Sequence, residues 1–425
     1  MTERERGIIE LIHSQVKPAL GCTEPIAVAL AAAKAAELLE IPDRLSARFE
    51  ISVSVSGNIL KNGMGVGVPG TGMTGLRIAA ALGAVCGKSA YGLEVLKDLD
   101  EASVARAKSL ETEVKLGLAE TAHVLYVSVR VSCGGRDAVA VIQDGHDNIV
   151  RLELCGKLLS DTVSSTHGGS EGHCSELSVR EIYDFVQSVS ASDISFILED
   201  RTLNLALARE GLAGDYGLNV GSTIAADEED FGRDFLAYAM SLTAAASDAR
   251  MAGCTLPAMS NSGSGNQGIT VSMPVIAYAL HYGVDDERLS RALCLSNLIA
   301  IHIKSHLGLL SALCGCVVAS TGAACGICWL KGGTYEQVCA TIKNMIGNIT
   351  GMVCDGAKVG CAMKVASGVS SAVQSCQLAL AGHCVGRRDG IIDDDIERSI
   401  RNLGRVGSVG MHETDNVILD IMVCK

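Results

Sequence analysis

Between Leu307 and Leu330 the chain runs for 24 residues without a charged side chain. A stretch of that length can span a bilayer, so it either crosses a membrane or is buried within a protein. Its make-up favours burial. It is rich in Ser, Gly, Ala and Cys, carries one aromatic, Trp329, and has no aromatic belt at its ends. The expectation is a buried helical hairpin in a protein that does not enter a membrane. The whole chain has the same character: 48% of its 425 residues are hydrophobic, yet only 3% are aromatic, and 47 are glycine. The core must be built from Ala, Val, Leu, Ile, Cys and Gly, which lets backbones approach closely. These figures exclude a collagen, a disordered chain and a small disulfide scaffold, and the length implies two to three domains.

Charge and cysteine usage narrow the setting. Lys and Arg number 35 against 48 Asp and Glu, a net charge of −13. Nucleic acid or an anionic membrane surface is therefore not expected as a partner, since both need a basic footprint. The first fifteen residues are charged and lack an apolar signal region. With an odd count of 17 cysteines, a reducing cytoplasm is expected, without disulfides, and most thiols should be buried small hydrophobes.

The periodicities predict an α+β fold. Residues 1–40 read as an N-terminal helical segment, interrupted at KPALGCTEP, where Thr23 can cap and Pro25 suits the first turn of the second helix. Residues 41–160 read as an α+β domain with an antiparallel sheet. Ile51, Val53 and Val55 alternate with polar neighbours, as do Val127, Val129 and Val131, and turns at Gly134-Gly135 and Asp144–Asn148 continue a meander. A helical stretch is expected at roughly 92–119. Residues 161–178, polar and rich in Ser and Gly, read as a linker. From 179 to 425 helical periodicity dominates, as in Ile182, Phe185, Val186 and Val189, and no strand is expected. The antiparallel-sheet subdomain is thus inserted between the N-terminal helical segment and a large all-helical domain, on which the N-terminal segment is expected to dock.

Several motifs compete with plainer explanations. The Gly-rich VGVPGTGMTG at 66–75 can hold an anion but matches no nucleotide fingerprint, and a tight structural turn is expected. His167, His173 and Cys174 read as a solvated loop rather than a metal site. Cys314-x-Cys316 and Cys325-x-x-Cys328 are close enough for a zinc knot, but the segment between them is helical in composition. SNSGSGNQGI at 260–269 is the richest polar loop of the helical part, and its Ser, Asn and Gly amides can cradle a carboxylate or phosphate. Cys354 and Cys361 flank Asp-Gly-Ala-Lys-Val-Gly, a loop context.

Taken together, GCTEP at 21–25, SNSGSGNQGI at 260–269, LSALCG at 310–315, CDGAKVGCAMK at 354–364 and GMHETDNVILDIM near the C-terminus resemble the iron–sulfur L-cysteine desulfidases, relatives of the iron–sulfur L-serine dehydratases. The resemblance implies a [4Fe–4S] cluster held by Cys314, Cys354 and Cys361, with Cys316 an alternative to Cys314, and Cys22 as catalytic base. It implies β-elimination of L-cysteine to pyruvate, ammonia and sulfide, or of L-serine by the same route; a non-enzymatic iron–sulfur sensor lacks the DNA-binding or partner module it would need. Ser260, Asn261, Ser262, Ser264 and Asn266 are the expected substrate-binding residues. As a base, Cys22 needs a lowered pKa, which a helix N-terminus can supply. Cys424 is similar in place to a C-terminal cysteine ligand of some dehydratases and is expected to be a frayed tail. A homodimer acting on a small amino acid is the expected assembly.

Overall fold

The computed structural model describes residues 1–162, 177–227, 234–307 and 311–424. The chain begins with α1 (Glu3–Gln15), a short strand β1 (Pro18–Leu20) and α2 (Thr23–Leu38). There follow β2 (Glu50–Val55), α3 (Gly57–Gly63), α4 (Leu76–Cys86), α5 (Glu101–Leu110), β3 (Lys115–Leu118), β4 (Tyr126–Cys133), β5 (Arg136–Gln143), β6 (Ile149–Leu154) and β7 (Lys157–Asp161). Strands β2 to β7 form one sheet in the order β3-β2-β4-β5-β6-β7. The β2–β3 pair is parallel and the other pairs are antiparallel. Alternation sorts the faces: Ile51, Val53 and Val55, with Val127, Val129 and Val131, are buried in a core that α2 and α4 close.

The second half is helical: α6 (Val179–Ser188), α7 (Ala191–Ile194), α8 (Glu199–Ala213), α9 (Val220–Ala226), α10 (Phe235–Met251), then strand β8 (Pro257–Met259), α11 (Gly265–Tyr282), α12 (Asp286–Ser305), α13 (Gly315–Leu330), α14 (Tyr335–Ile349), α15 (Cys361–Leu380), α16 (Ile396–Arg405) and α17 (His412–Val423). Its core centres on α12 and α13. Helix α17 turns back to α3, where Leu419 joins the sheet-side core and Asp415 pairs with the buried Lys61.

Both cores use the same device. Glycines at helix crossings let one backbone rest on another. A Cβ on Gly83 of α4 would lie 2.2 Å from the Ala29 carbonyl oxygen of α2. On Gly322 of α13 it would lie 2.3 Å from Ser296 O of α12, and on Gly211 of α8, 2.0 Å from Ala245 O of α10. A core without bulky side chains is close-packed only if the helices approach this nearly.

Several expectations need correcting. The N-terminal segment divides: α1 buries Ile8, Ile9 and Ile12 in the helical core, whereas α2 belongs to the sheet-side core. The stretch 92–119 is α-helical only over α5: Gly92 adopts φ 54°, a short 3-10 turn follows at Glu111–Glu113, and Lys115–Leu118 pairs with β2 as an edge strand too short for its alternating Leu116 and Leu118 to stand out. The uncharged run supplies one helix, α13, whose hairpin partner is the preceding α12. Strand β8 was not expected; it pairs antiparallel with β1 through backbone bonds that leave no periodic signal. Most of the 161–178 linker, with His167, His173 and Cys174, lies outside the described residues. The 66–75 loop is a structural turn: Gly67 pairs with Thr74, and its N–H donates to Met251 O. Among the described residues no helix is long and apolar enough to cross a membrane.

Overpacking a close crossing costs about 1–3 kcal/mol. Gly322→Ala should lower stability by about that amount in denaturant unfolding. Gly7→Ala, in α1 with nothing within 4 Å of the new methyl, should raise it by up to about 1 kcal/mol.

Candidate active site

The break between α1 and α2 positions the first functional groups. Gly21 takes φ 69°, a conformation open to glycine, and Cys22 becomes the N-cap of α2. The cap role thus falls to Cys22 rather than to Thr23, whose hydroxyl donates to Glu24 Oε2 at 3.2 Å. Pairing of β1 with β8 carries this break onto the helical half. There Cys22 packs with Val66, Met251, Ala357 and Cys361.

A cavity opens at this junction, and both halves line it. Cys314, Cys316, Cys354 and Cys361 all face it. Their loops are tied together, since Cys314 N–H donates to Met352 O at 3.0 Å and Cys354 N–H to Ala312 O at 2.7 Å. The Cys314 thiol bonds that of Cys354. This bond, helped by Lys61 and Lys364, holds Cys354 down at about 6, and it raises Cys314. Cys361 opens α15 and is raised by burial. The Cys316 thiol is engaged within the protein, donating to Lys364 O at 3.1 Å. As they stand, no three His, Cys, Asp or Glu side chains among the described residues are gathered closely enough to hold a metal ion. The donor chemistry nevertheless suits an anionic iron–sulfur group. Three thiols share one cavity, and Lys61, Lys304 and Lys364 act on them. Burial brings Lys304 down to about 8 against the pull of Cys354, Cys314 and Glu24.

Of the polar loop, Ser262, Ser264 and Asn266 line the cavity. Ser264 caps α11, and Asn266 lies in its first turn. Ser260 and Asn261, expected to bind substrate, do not line the cavity. Ser260 Oγ donates to Lys17 O at 2.6 Å, and Asn261 is fully buried among other amides.

Four cavity groups were missed by sequence reasoning. Arg250 of α10 donates to Gly21 O at 2.8 Å and to Asn266 Oδ1 at 3.3 Å, while its Nε has no partner. It fits because Gly265 has no side chain; a Cβ there would lie 2.2 Å from Arg250 Nε. His146, from the β5–β6 turn, places an unpartnered Nε2 3.9 Å from Glu24 Oε1. Glu24 accepts from the Cys22 thiol at 2.9 Å. Although burial pushes the Glu24 carboxyl up, His146, Cys22 and Arg250 outweigh it and hold it below its usual value. The fourth, Lys304, is an ammonium in the last turn of α12. A charge in the apolar run of α10 was the available signal for Arg250, whereas Lys304, in the last turn of a helix that also carries Asp286, Glu287, Arg288 and Arg291, gave none. Cys22 departs from expectation in its acidity: burial first, then Glu24, raise its thiol despite the helix N-terminus.

Residues 90–420 match the model of the serine dehydratase alpha chain. The chain belongs to the serine dehydratase alpha chain family. It is 53% identical over 426 residues to the UPF0597 protein of Oleidesulfovibrio alaskensis, covering 98% of this chain and 97% of that one. The UPF0597 protein of Phocaeicola vulgatus is 50% identical over 430 residues, covering 100% and 98%. That of Shewanella pealeana is 46% identical over 425 residues, covering 98% of each.

Behind the polar loop of this serine dehydratase-like chain runs a buried file of amides. Asn297 Nδ2 donates to Asp200 Oδ2 at 2.9 Å, Asn261 Nδ2 to Asn297 Oδ1 at 2.8 Å, and Gln267 Nε2 to Asn261 Oδ1 at 2.9 Å. None is more than 2% exposed. Asp200 Oδ1 has no partner, and burial, with Glu199 adding to it, pushes the Asp200 carboxyl up to about 7. A carboxyl raised in the folded state favours folding below its unfolded pKa, and that contribution is lost as pH rises through about 7. Asp200→Asn removes the titration. The variant should melt above the wild-type protein at pH 8, with the gap narrowing steadily toward pH 5, as followed by thermal unfolding across that range.

Proposed function

We propose that the protein is a lyase that eliminates the β-sulfur of L-cysteine, giving pyruvate, ammonia and sulfide. The observation that supports this most directly is that Cys22 and the thiols of Cys314, Cys354 and Cys361 open into one cavity together with Arg250 and Lys304. Cys314, Cys354 and Cys361 would hold a [4Fe–4S] cluster. When bound, a cluster with three cysteine ligands supplies one iron as a Lewis acid.

The remaining work falls to the chain's own side chains. Arg250, Ser264 and Asn266 receive the substrate carboxylate, with Arg250 offering a charge-assisted hydrogen bond from a dry site, while Ser262, its hydroxyl given to Asn261 Oδ1 and its N–H to Gln15 O, shapes the loop. Cys22 Sγ, once its own proton has gone to solvent, takes the α-proton as a thiolate, and Glu24 Oε2, 2.9 Å away, accepts the hydrogen bond of the thiol so formed. The electron pair of the broken C–H bond forms the α,β-double bond, and the β-sulfur departs as hydrosulfide. His146 Nε2, without a protein partner, offers a hydrogen bond to that substituent. The aminoacrylate tautomerises to an imine, which water hydrolyses to pyruvate and ammonia. No step changes an oxidation state of the protein. The family description supports a second reading, L-serine with hydroxide as the leaving group, through the same residues.

Protein reconstituted anaerobically with iron and sulfide should hold about four irons per chain and release sulfide and pyruvate in equal amounts from L-cysteine. A higher kcat/KM for L-serine would establish the second reading instead. Bound pyridoxal phosphate without iron would overturn both. Cys22→Ser should keep its iron yet lose exchange of the substrate α-hydrogen with heavy water, because a serine hydroxyl is a far weaker acid than a thiol. Loss of iron in that variant would make Cys22 a ligand rather than the base.

A further inference from the structure

The amide file behind the polar loop has a direction. Each amide can in principle be turned end for end, so the order of donors and acceptors must be fixed by one member. Asn297 fixes it, because its Nδ2 is held by Leu293 O, a carbonyl that only accepts, whatever the protonation of Asp200. The same Nδ2, 3.0 Å from Leu293 O, also turns toward Asp200. Its Oδ1 then faces Asn261, which must donate Nδ2. Asn261 Oδ1 is left to accept, and it receives both Gln267 Nε2 and the Ser262 hydroxyl, each at 2.9 Å. Water cannot substitute for any of these bonds, since Asp200, Asn297, Asn261 and Gln267 are buried.

The end of the file is Gln267, which lines the cavity. With Nε2 committed, its Oε1 is the atom presented outward. This oxygen has no hydrogen-bond partner among the described residues, and it lies 3.2 Å from where a Cβ on Gly315 would be, beside Cys314. Arg250, Lys304, Lys364 and Ser264 bring donors and cations to the cavity, and Asn62, whose Oδ1 also lacks a partner, lines it from the sheet side. The other strong acceptor, Glu24, is engaged by the Cys22 thiol and the Thr23 hydroxyl. An oriented acceptor among donors matches a zwitterion, whose carboxylate needs donors and whose ammonium needs an acceptor.

We infer that Gln267 Oε1 accepts a hydrogen bond from the α-ammonium group of the substrate, and that Asp200, Asn297 and Asn261 are positioning residues that hold it in that orientation. The inference rests on the lyase reading above and adds to it a specificity: the site takes α-amino acids and discriminates against the same acids without the amino group. A buried acceptor left without its donor is costly, which is how a site built to bond a polar group rejects the analogue lacking it.

The test compares L-cysteine with 3-mercaptopropionate, which has the same carboxylate and sulfur but no amino group, on the reconstituted full-length protein. Gln267→Met keeps the length of the side chain and removes the acceptor. KM for L-cysteine should rise about tenfold or more, while inhibition by 3-mercaptopropionate changes less than about twofold and iron content is kept. Asn297→Asp sets a carboxylate against Asp200 and should raise KM in the same selective way. A merely structural role would not give a loss selective for the ligand that carries the amino group. If Gln267→Met weakens both ligands equally or neither, or if Asn297→Asp folds and holds iron without raising KM for L-cysteine selectively, the assignment is overturned. If the wild-type protein acts on neither L-cysteine nor L-serine, the lyase reading itself fails and this inference falls with it.

Discussion

Three backbone-paired residues hold the cavity together. Pro18, Ala19 and Leu20 lie opposite Met259, Ala258 and Pro257, and the loop after β8 continues the connection. Ser260 N–H and Oγ both donate to Lys17 O, and Ser262 N–H donates to Gln15 O at 2.9 Å. One residue beyond β1, Gly21 O receives Arg250. The polar loop, the guanidinium and the Cys22 thiol are therefore registered to one another by main-chain bonds, and not by side-chain packing alone. Main-chain bonds of this kind survive most substitutions because they do not depend on side-chain identity. A chain folded without this ladder would still have two cores, but Cys22 would have no fixed relation to Cys314, Cys354 and Cys361.

Charge is concentrated at the same junction. Glu24 and Arg250 are buried and Lys304 half-buried in or beside the cavity, and each would be expensive there alone. They are tolerated because signs alternate over short distances and because Asp415 reaches from the last helix to neutralise Lys61. Unspent bonding capacity remains at Arg250 Nε and His146 Nε2. Buried groups without partners are uncommon in native proteins, and here two of them face one space.

The sheet was legible because alternation is a local signal, and its inward residues, Val53 and Val129 among them, lie where their period of two puts them. The cysteine motifs were legible as a set, and Cys314, Cys354 and Cys361 do share a cavity. What could not be read was anything created by contact between distant segments. Nothing around His146 distinguishes it from an ordinary turn residue until the β5–β6 turn is seen beside Gly263. Ser260 and Asn261 looked like ligands because the loop is polar, but their partners are Lys17 and Asn297, far away in the chain. The acidity of Cys22 was misjudged for a related reason. The helix N-terminus is visible in the sequence; the burial that outweighs it is not.

The glycine-floored crossings carry a consequence for how this core orders itself. Ala and Gly have no rotamers to freeze, whereas a buried Leu or Met gives up about 0.5–2 kcal/mol of side-chain entropy. Helix α2, with Ala27, Ala29, Ala31, Ala32, Ala33, Ala35 and Ala36 all buried, therefore loses side-chain freedom on folding chiefly at Ile26, Val28 and Leu30. The contacts it makes are shallow but numerous, and they have few alternative arrangements, because a methyl group cannot be repacked by turning a torsion angle. Such an interior trades depth of burial for uniqueness, and its position is set by backbone shape alone.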